Sequence, residues 1–158
     1  MGVLVPSSPY TISQVITNPG AVTNLNVQAS ATKPLVIVNV LIELSQATIP
    51  GSANARVRLV LKTAAPTVTS IASNTVVKQN PSDPDASFSA GHTATAEGTD
   101  GRFVERGWRS DTGFEWNPTP EEYILVPAGT ANGFGIKHNV APPAGAYAFT
   151  MVVHEIGG

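Results

Sequence analysis

Residues 35–44, read as LVIVNVLIEL, leave this chain few ways to fold. Side chains of an extended backbone alternate between two faces, so Val36, Val38, Val40, Ile42 and Leu44 fall together. Leu35, Ile37, Asn39, Leu41 and Glu43 take the other face, which is half polar. β-branched residues dominate the run; they crowd χ1 in a helix and pack well on a pleated surface. At about 3.3 Å per residue the run spans roughly 33 Å, long for a strand. The reading is a long central strand of an all-β domain, with the even-numbered aliphatics turned to the core.

The rest of the chain agrees with that class. Leu25 and Val27 alternate with polar neighbours and predict a strand within 21–30. In 54–62, NARVRLVLK, Val57, Leu59 and Leu61 alternate with Arg56, Arg58 and Lys62, giving an amphipathic strand whose basic face could pair with Glu43 across the sheet. Residues 68–77 predict a Thr/Ser-rich strand with an irregularity near Ser73 and Asn74. Asn80 to Asp85, NPSDPD, is a loop by its breakers. Asp100-Gly101 could close a hairpin onto a strand at 102–109. Short strands follow at 114–116 and 121–126. A Gly-interrupted strand at 133–137 signals a close backbone approach. In 146–156, Tyr147, Phe149, Met151 and Val153 form a second apolar stripe. Eight or nine strands separated by Gly/Pro turns, with no helical window, predict a two-sheet antiparallel sandwich. A jelly roll is the first choice and an immunoglobulin-like sandwich the second.

Pro6, Pro9 and Pro19 interrupt the first twenty residues around a short extended segment at 10–16. This divides the chain into an N-terminal arm, 1–20, and one sandwich domain, 21–158. The arm either lies on its own domain or is donated to a neighbouring subunit by strand addition. Tyr10 and Ile12 are then candidate interface residues.

Composition excludes several function classes. At 158 residues one domain buries its own core without staples, and with no cysteine it has no disulfide or thiol chemistry. Charged residues are 13% of the chain, against about 25% in ordinary proteins. A net charge of −2 with scattered basic residues argues against nucleic acid as a partner. The start lacks a basic segment followed by an apolar one, so no signal peptide is expected, and no apolar run is long enough for a membrane helix.

Catalytic and metal patterns are missing. His92, His138 and His154 form no H-x-H pair, and His154 and Glu155, adjacent on a strand, face opposite ways. Nine of the eleven carboxylates lie between Asp83 and Glu122, reading as a solvated acidic region. Neither a nucleophile elbow nor a phosphate loop nor a dinucleotide fingerprint is present. The expectation is a non-enzyme without metal or cofactor. Trp108, Phe114 and Trp116 lie within nine residues. Phe114 and Trp116 share a strand face and read as core, whereas Trp108, flanked by Gly107 and Arg109, reads as a surface anchor. Trp108 and Arg109 therefore join the candidate interface, and the cluster raises a carbohydrate- or receptor-binding β-sandwich module, of the kind a fibre or spike carries, as the alternative function.

At Glu43, at NARVRLV (54–60), at TPEEYILVPAG (119–129) and at HEIGG (154–158), the chain resembles the jelly-roll head decoration, or cement, proteins of tailed bacteriophages. The resemblance covers most of 25–158 as a pattern of strands and turns, and its motifs are structural. It implies a structural virion protein on the outer capsid surface, assembled in the host cytoplasm. Its partners would be the major capsid protein and itself, as a homotrimer with terminal arms reaching adjacent subunits. No ligand-binding residue carries over.

Overall fold

Four antiparallel pairs, nested one inside the next, set the architecture. The structure, a computed structural model, describes residues 7–46 and 53–157, with Asn74 described by its backbone alone. Its strands are β1 (Ser7–Thr17), β2 (Thr23–Gln28), β3 (Leu35–Leu44), β4 (Asn54–Ala64), β5 (Thr67–Ile71), β6 (Val77–Lys78), β7 (Ser89–Ala96), β8 (Thr99–Arg109), β9 (Phe114–Trp116), β10 (Ile124–Val126), β11 (Gly133–Lys137) and β12 (Ala146–Ile156). β1 pairs with β12, β2 with β11, β3 with β10 and β4 with β8. A ribbon rolled so that its halves alternate between two layers gives this nesting, which is the connectivity of a jelly roll. One sheet runs β10-β3-β12-β1-β6, with β9 also on β3; the other runs β5-β7-β2-β11-β4-β8.

The two layers bury one continuous core. β12 supplies Tyr147, Phe149, Met151 and Val153, all fully buried, in strict alternation. Leu25, Val27, Val57, Leu59, Phe134 and Ile136 meet them from the second sheet. Each such side chain is worth about 1.5–3 kcal/mol of burial, offset largely by chain entropy.

The long strand departs from simple alternation. Val152 pairs with Asn39, but the next residue, Val153, pairs with Ile37, so Val38 is an extra residue in β3. A bulge of this kind flips the parity of the strand. Leu35 and Ile37 face the core before it, Val40 and Ile42 after it, and Val36 and Val38 are only half-buried. The expectation of one unbroken even-numbered face is therefore corrected at its N-terminal half.

The division of the chain at residue 20 is also corrected for the described residues. Ser7–Thr17 is no separate arm: it pairs with β12 over its whole length, with β6 on its other edge. Pro9 is tolerated because that edge uses it as an acceptor: its carbonyl takes the Gln79 backbone N–H at 3.1 Å, a bond that needs no donor from proline. Residues 1–6 lie outside the described part.

The expected hairpin at Asp100-Gly101 is replaced by a larger device. β4 and β5 pair with β8 and β7 respectively, so 54–71 and 89–109 form one long antiparallel ribbon. β4 flanks β11 while β7 flanks β2, so the ribbon crosses from one side of the β2–β11 pair to the other. Gly98 turns at the crossing with φ +67°, and a Cβ there would collide with the carbonyl oxygen of Ala64. Only glycine fits.

Candidate interaction surface

Charge is segregated between the two layers. The strands β1, β3, β9, β10 and β12 contain no lysine or arginine, and among the described residues the sole strand-borne cation of their sheet is Lys78 on the short edge strand β6. Every other strand-borne cation belongs to β4, β8 or β11 of the second sheet.

In the second sheet Lys62, Lys137, Arg56 and Arg58 are tied into ion pairs between strands. Lys62 is fully buried on the face of β11 turned from the core, its stem 3.5 Å from where a Gly135 Cβ would be. Its ammonium donates to Glu97 at 3.1 Å and to Asp100. Lys137 bridges the same two carboxylates at 3.3 and 2.6 Å, and Thr23 donates to Glu97 from both its backbone and its hydroxyl at 2.7 Å. Burial raises both carboxyls, but these hydrogen bonds outweigh it and hold Glu97 and Asp100 below their ordinary pKa. Two cations meet two anions, which staples the crossing ribbon to β2 and β11. Arg56 and Arg58 lie near Glu105 on β8, at 3.9 and 3.7 Å, and not near Glu43 as expected, because Glu43 is in the other sheet. A second buried staple holds Glu155 against Lys33 at 3.1 Å and against Ser87.

The histidines stand apart. His138 is fully buried at the end of β11, beside a bulge that turns Asn24 towards it. Burial pulls its pKa down to about 4. His92 contacts Thr93 on β7, and His154 lies on the outer side of β12, opposite the inward Glu155. Among the described residues no three His, Asp or Glu side chains converge to hold a metal.

The first sheet presents a different surface on the side turned away from the core. Register places Val15 beside Ala148, Ser13 beside Thr150 and Leu41, and Thr11 beside Val152 and Asn39. Pro9, His154, Val36 and Leu125 form the next row. Val15, Val77 and Leu125 are 49%, 60% and 56% exposed. Glu43 and Glu115 are the only strand carboxylates on this side among the described residues, and both sit at one rim. Burial lowers the His154 pKa, so it too is neutral at pH 7. The result is a wide sheet face of Val, Leu, Thr, Ser and Ala without a cation at its centre. Depletion of charge over an exposed area is what distinguishes the core of a protein interface from ordinary surface.

The residues singled out from the sequence are placed otherwise. Tyr10 and Ile12 are fully buried in the chain's own core; Tyr10 donates to the Pro84 carbonyl at 2.9 Å and meets Phe88 edge-on at 5.4 Å. Trp108 is also buried, packed edge-on against Tyr147 at 5.7 Å, because it shares the inward face of β8 with Val104. These three are corrected from interface to core. Phe114 and Trp116 are half-buried against that core, in line with their shared strand face. Arg109 is exposed and bonds Asp111 at 3.1 Å. The structure does not bring the four together. What sequence reasoning missed, the uncharged outer face, had a signal: three long strands, β1, β3 and β12, without a single lysine or arginine.

Comparison of the sequence with protein-family models gives no match, and comparison with curated proteins gives none either.

Proposed function

We propose that this chain is a structural virion protein, a decoration subunit that binds the outside of a phage capsid and stabilises the mature shell. The observation that carries the reading is the outer face of the first sheet, 7–17, 35–44 and 146–156, which has no lysine or arginine and keeps its strand carboxylates, Glu43 and Glu115, at one rim, so that a partner can cover it. The motif resemblance names the partner as the major capsid protein. Rigidity suits a static clamp, and the described chain is a two-layer body with a continuous core, stapled by two buried ionic clusters. A subunit that binds only the expanded shell stabilises that state by mass action, and several copies joined together multiply the effect.

The carbohydrate- or receptor-binding alternative loses one member of the aromatic cluster it rested on, since Trp108 is turned into the core while Phe114 and Trp116 are half-buried. The test is co-sedimentation of purified protein with undecorated mature shells, using the wild type and Thr150→Lys. Saturable binding by the wild type and loss of it in the folded variant support the reading. Equal binding by both moves the contact to another surface, and no binding by either removes the proposal.

A further inference from the structure

One long edge of the second sheet is left open. β8 ends that sheet, and among the described residues no strand lies beyond it. Its last residue is tied back locally, since the Gly113 N–H bonds the Arg109 carbonyl, but no strand pairs with the preceding residues on that side. Along this edge runs a cleft of about 360 Å³ whose apolar walls include Leu59, Leu61, Val104 and Ile124. Leu59 belongs to the core, and Leu61 and Ile124 pack against it, so apolar interior reaches the surface here. Phe103 stands at the rim, 49% exposed. A strand edge without a neighbour, lying beside an apolar floor, is a template for a further strand.

The free charges on this edge have one sign. Arg102 is exposed and lines the cleft, and no carboxylate does. Val104 and Arg106 pair with Leu59 and Val57, whose side chains are buried in the core, so both lie on the inward side of β8. Arg106 is exposed as well, and among the described residues its guanidinium bonds only the backbone carbonyl of Glu105. The ion pairs of this strand go elsewhere: Glu105 lies near Arg56 and Arg58, and Arg109 bonds Asp111. Arg102, Val104 and Arg106 are thus a basic, an aliphatic and a basic residue spaced by two, the repeat of one strand face. A strand laid against them sets its own alternate residues opposite each.

We propose that the β8 edge receives an extended acidic peptide of another protein as an added strand, with the repeat acidic-x-aliphatic-x-acidic. Its two carboxylates meet Arg102 and Arg106, and the aliphatic side chain between them enters the cleft beside Val104. Main-chain hydrogen bonds to β8 supply affinity, while the cleft and the two arginines select the sequence. A small free carboxylate would meet one arginine and leave the open cleft wet; a strand covers both. The site stands apart from the surface proposed to bind the shell except at Leu125, which closes the cleft wall and also borders the outer face of the first sheet. Leu125 is therefore left unchanged in the test.

The test is fluorescence anisotropy of a labelled peptide, Thr-Glu-Thr-Val-Thr-Glu-Thr, titrated with the full chain. A second peptide carries lysine in place of both glutamates, and octanoate serves as the small carboxylate. The glutamate peptide binds saturably and roughly tenfold or more tighter than the lysine peptide. Arg102→Glu and Arg106→Glu each weaken it by roughly tenfold while leaving the thermal transition in place, because both side chains are exposed. With both substitutions in one chain the preference reverses to the lysine peptide. Amide exchange along β8 slows when the glutamate peptide binds. Absence of saturable binding up to about 1 mM overturns the inference, as does equal binding of the two peptides or a double variant that keeps the wild-type preference. Displacement of the peptide by an equal concentration of octanoate, or binding that leaves β8 exchange unchanged, overturns strand addition.

Discussion

Asn24 donates its side-chain amide to Nδ1 of His138 at 2.9 Å, deep in the sandwich. The same amide nitrogen also donates to the carbonyls of Val22 and Gly20, which fixes its orientation. Nδ1 must therefore accept, and the neutral imidazole carries its proton on Nε2, which has no hydrogen-bond partner among the described residues. A second proton would place two donors face to face in a fully buried site. His138 is built to stay neutral.

The pH dependence follows from that relationship. The unfolded chain protonates this imidazole near 6.5, the folded one only near 4. Between those values the unfolded state binds more protons, so stability is full above about pH 6.5 and falls as pH drops towards 4. The loss from His138 reaches roughly 3 kcal/mol. Urea unfolding at pH 7, 5.5 and 4 measures it. His138→Gln should flatten this part of the profile, and Glu97 and Asp100, whose carboxyls lie below their ordinary pKa, should carry the further loss at lower pH.

The bulge in β3 makes neighbouring valine and isoleucine unequal. Ile37→Asp buries a carboxylate in the core with no partner, at a cost of several kcal/mol against a total stability of about 5–15, and the protein should not fold. Val38→Asp, at the extra residue outside the core, should remain folded with a lowered melting temperature. Circular dichroism melts of the two variants decide it.

Lys62 holds the crossing ribbon. Lys62→Met leaves Glu97 and Asp100 with Lys137 as their one remaining cation, and should cost about 3–5 kcal/mol by leaving a half-buried carboxylate undercompensated. Gly98→Ala attacks the same crossing through the backbone, where the positive φ and the close Ala64 carbonyl admit no side chain. It should destabilise by roughly 1–3 kcal/mol. Chemical denaturation reads both.

Thr150 sits at the middle of the uncharged face, hydrogen-bonded to Ser13 at 2.9 Å and flanked by Leu41. Thr150→Lys on this outward position should change stability by less than about 1 kcal/mol, as surface substitutions do. Its effect should appear in shell binding alone, measured by co-sedimentation beside a thermal melt.

Much of the fold is legible in the sequence because period-two alternation reports burial directly. Tyr147, Phe149, Met151 and Val153 are buried as their alternation predicts, and the strand at 133–137 lies where its glycines place it, with Gly135 under Lys62. Alternation fails at bulges, since one extra residue reverses every later side chain. Val36 and Val38 fall off the predicted core face for that reason. Prolines mislead in the same way at β1: Pro9 accepts from the Gln79 N–H through its carbonyl, and spacing alone does not reveal which strand edges need donors. Trp108 reads as exposed because its neighbours Gly107 and Arg109 are small or polar, yet those neighbours point to the other side of β8. The proposed binding surface is the least visible part. It is defined by which residues are absent, and absence shows only after the sheet brings three distant strands side by side.

The most direct test of the account is an image reconstruction of whole particles that carry this chain, fitted with its two-layer body. The account predicts density on the outside of the shell, with the Val15–Thr150–Val152 face turned down onto capsid subunits and covered. Density inside the particle, or a position that leaves that face open to solvent, would contradict it.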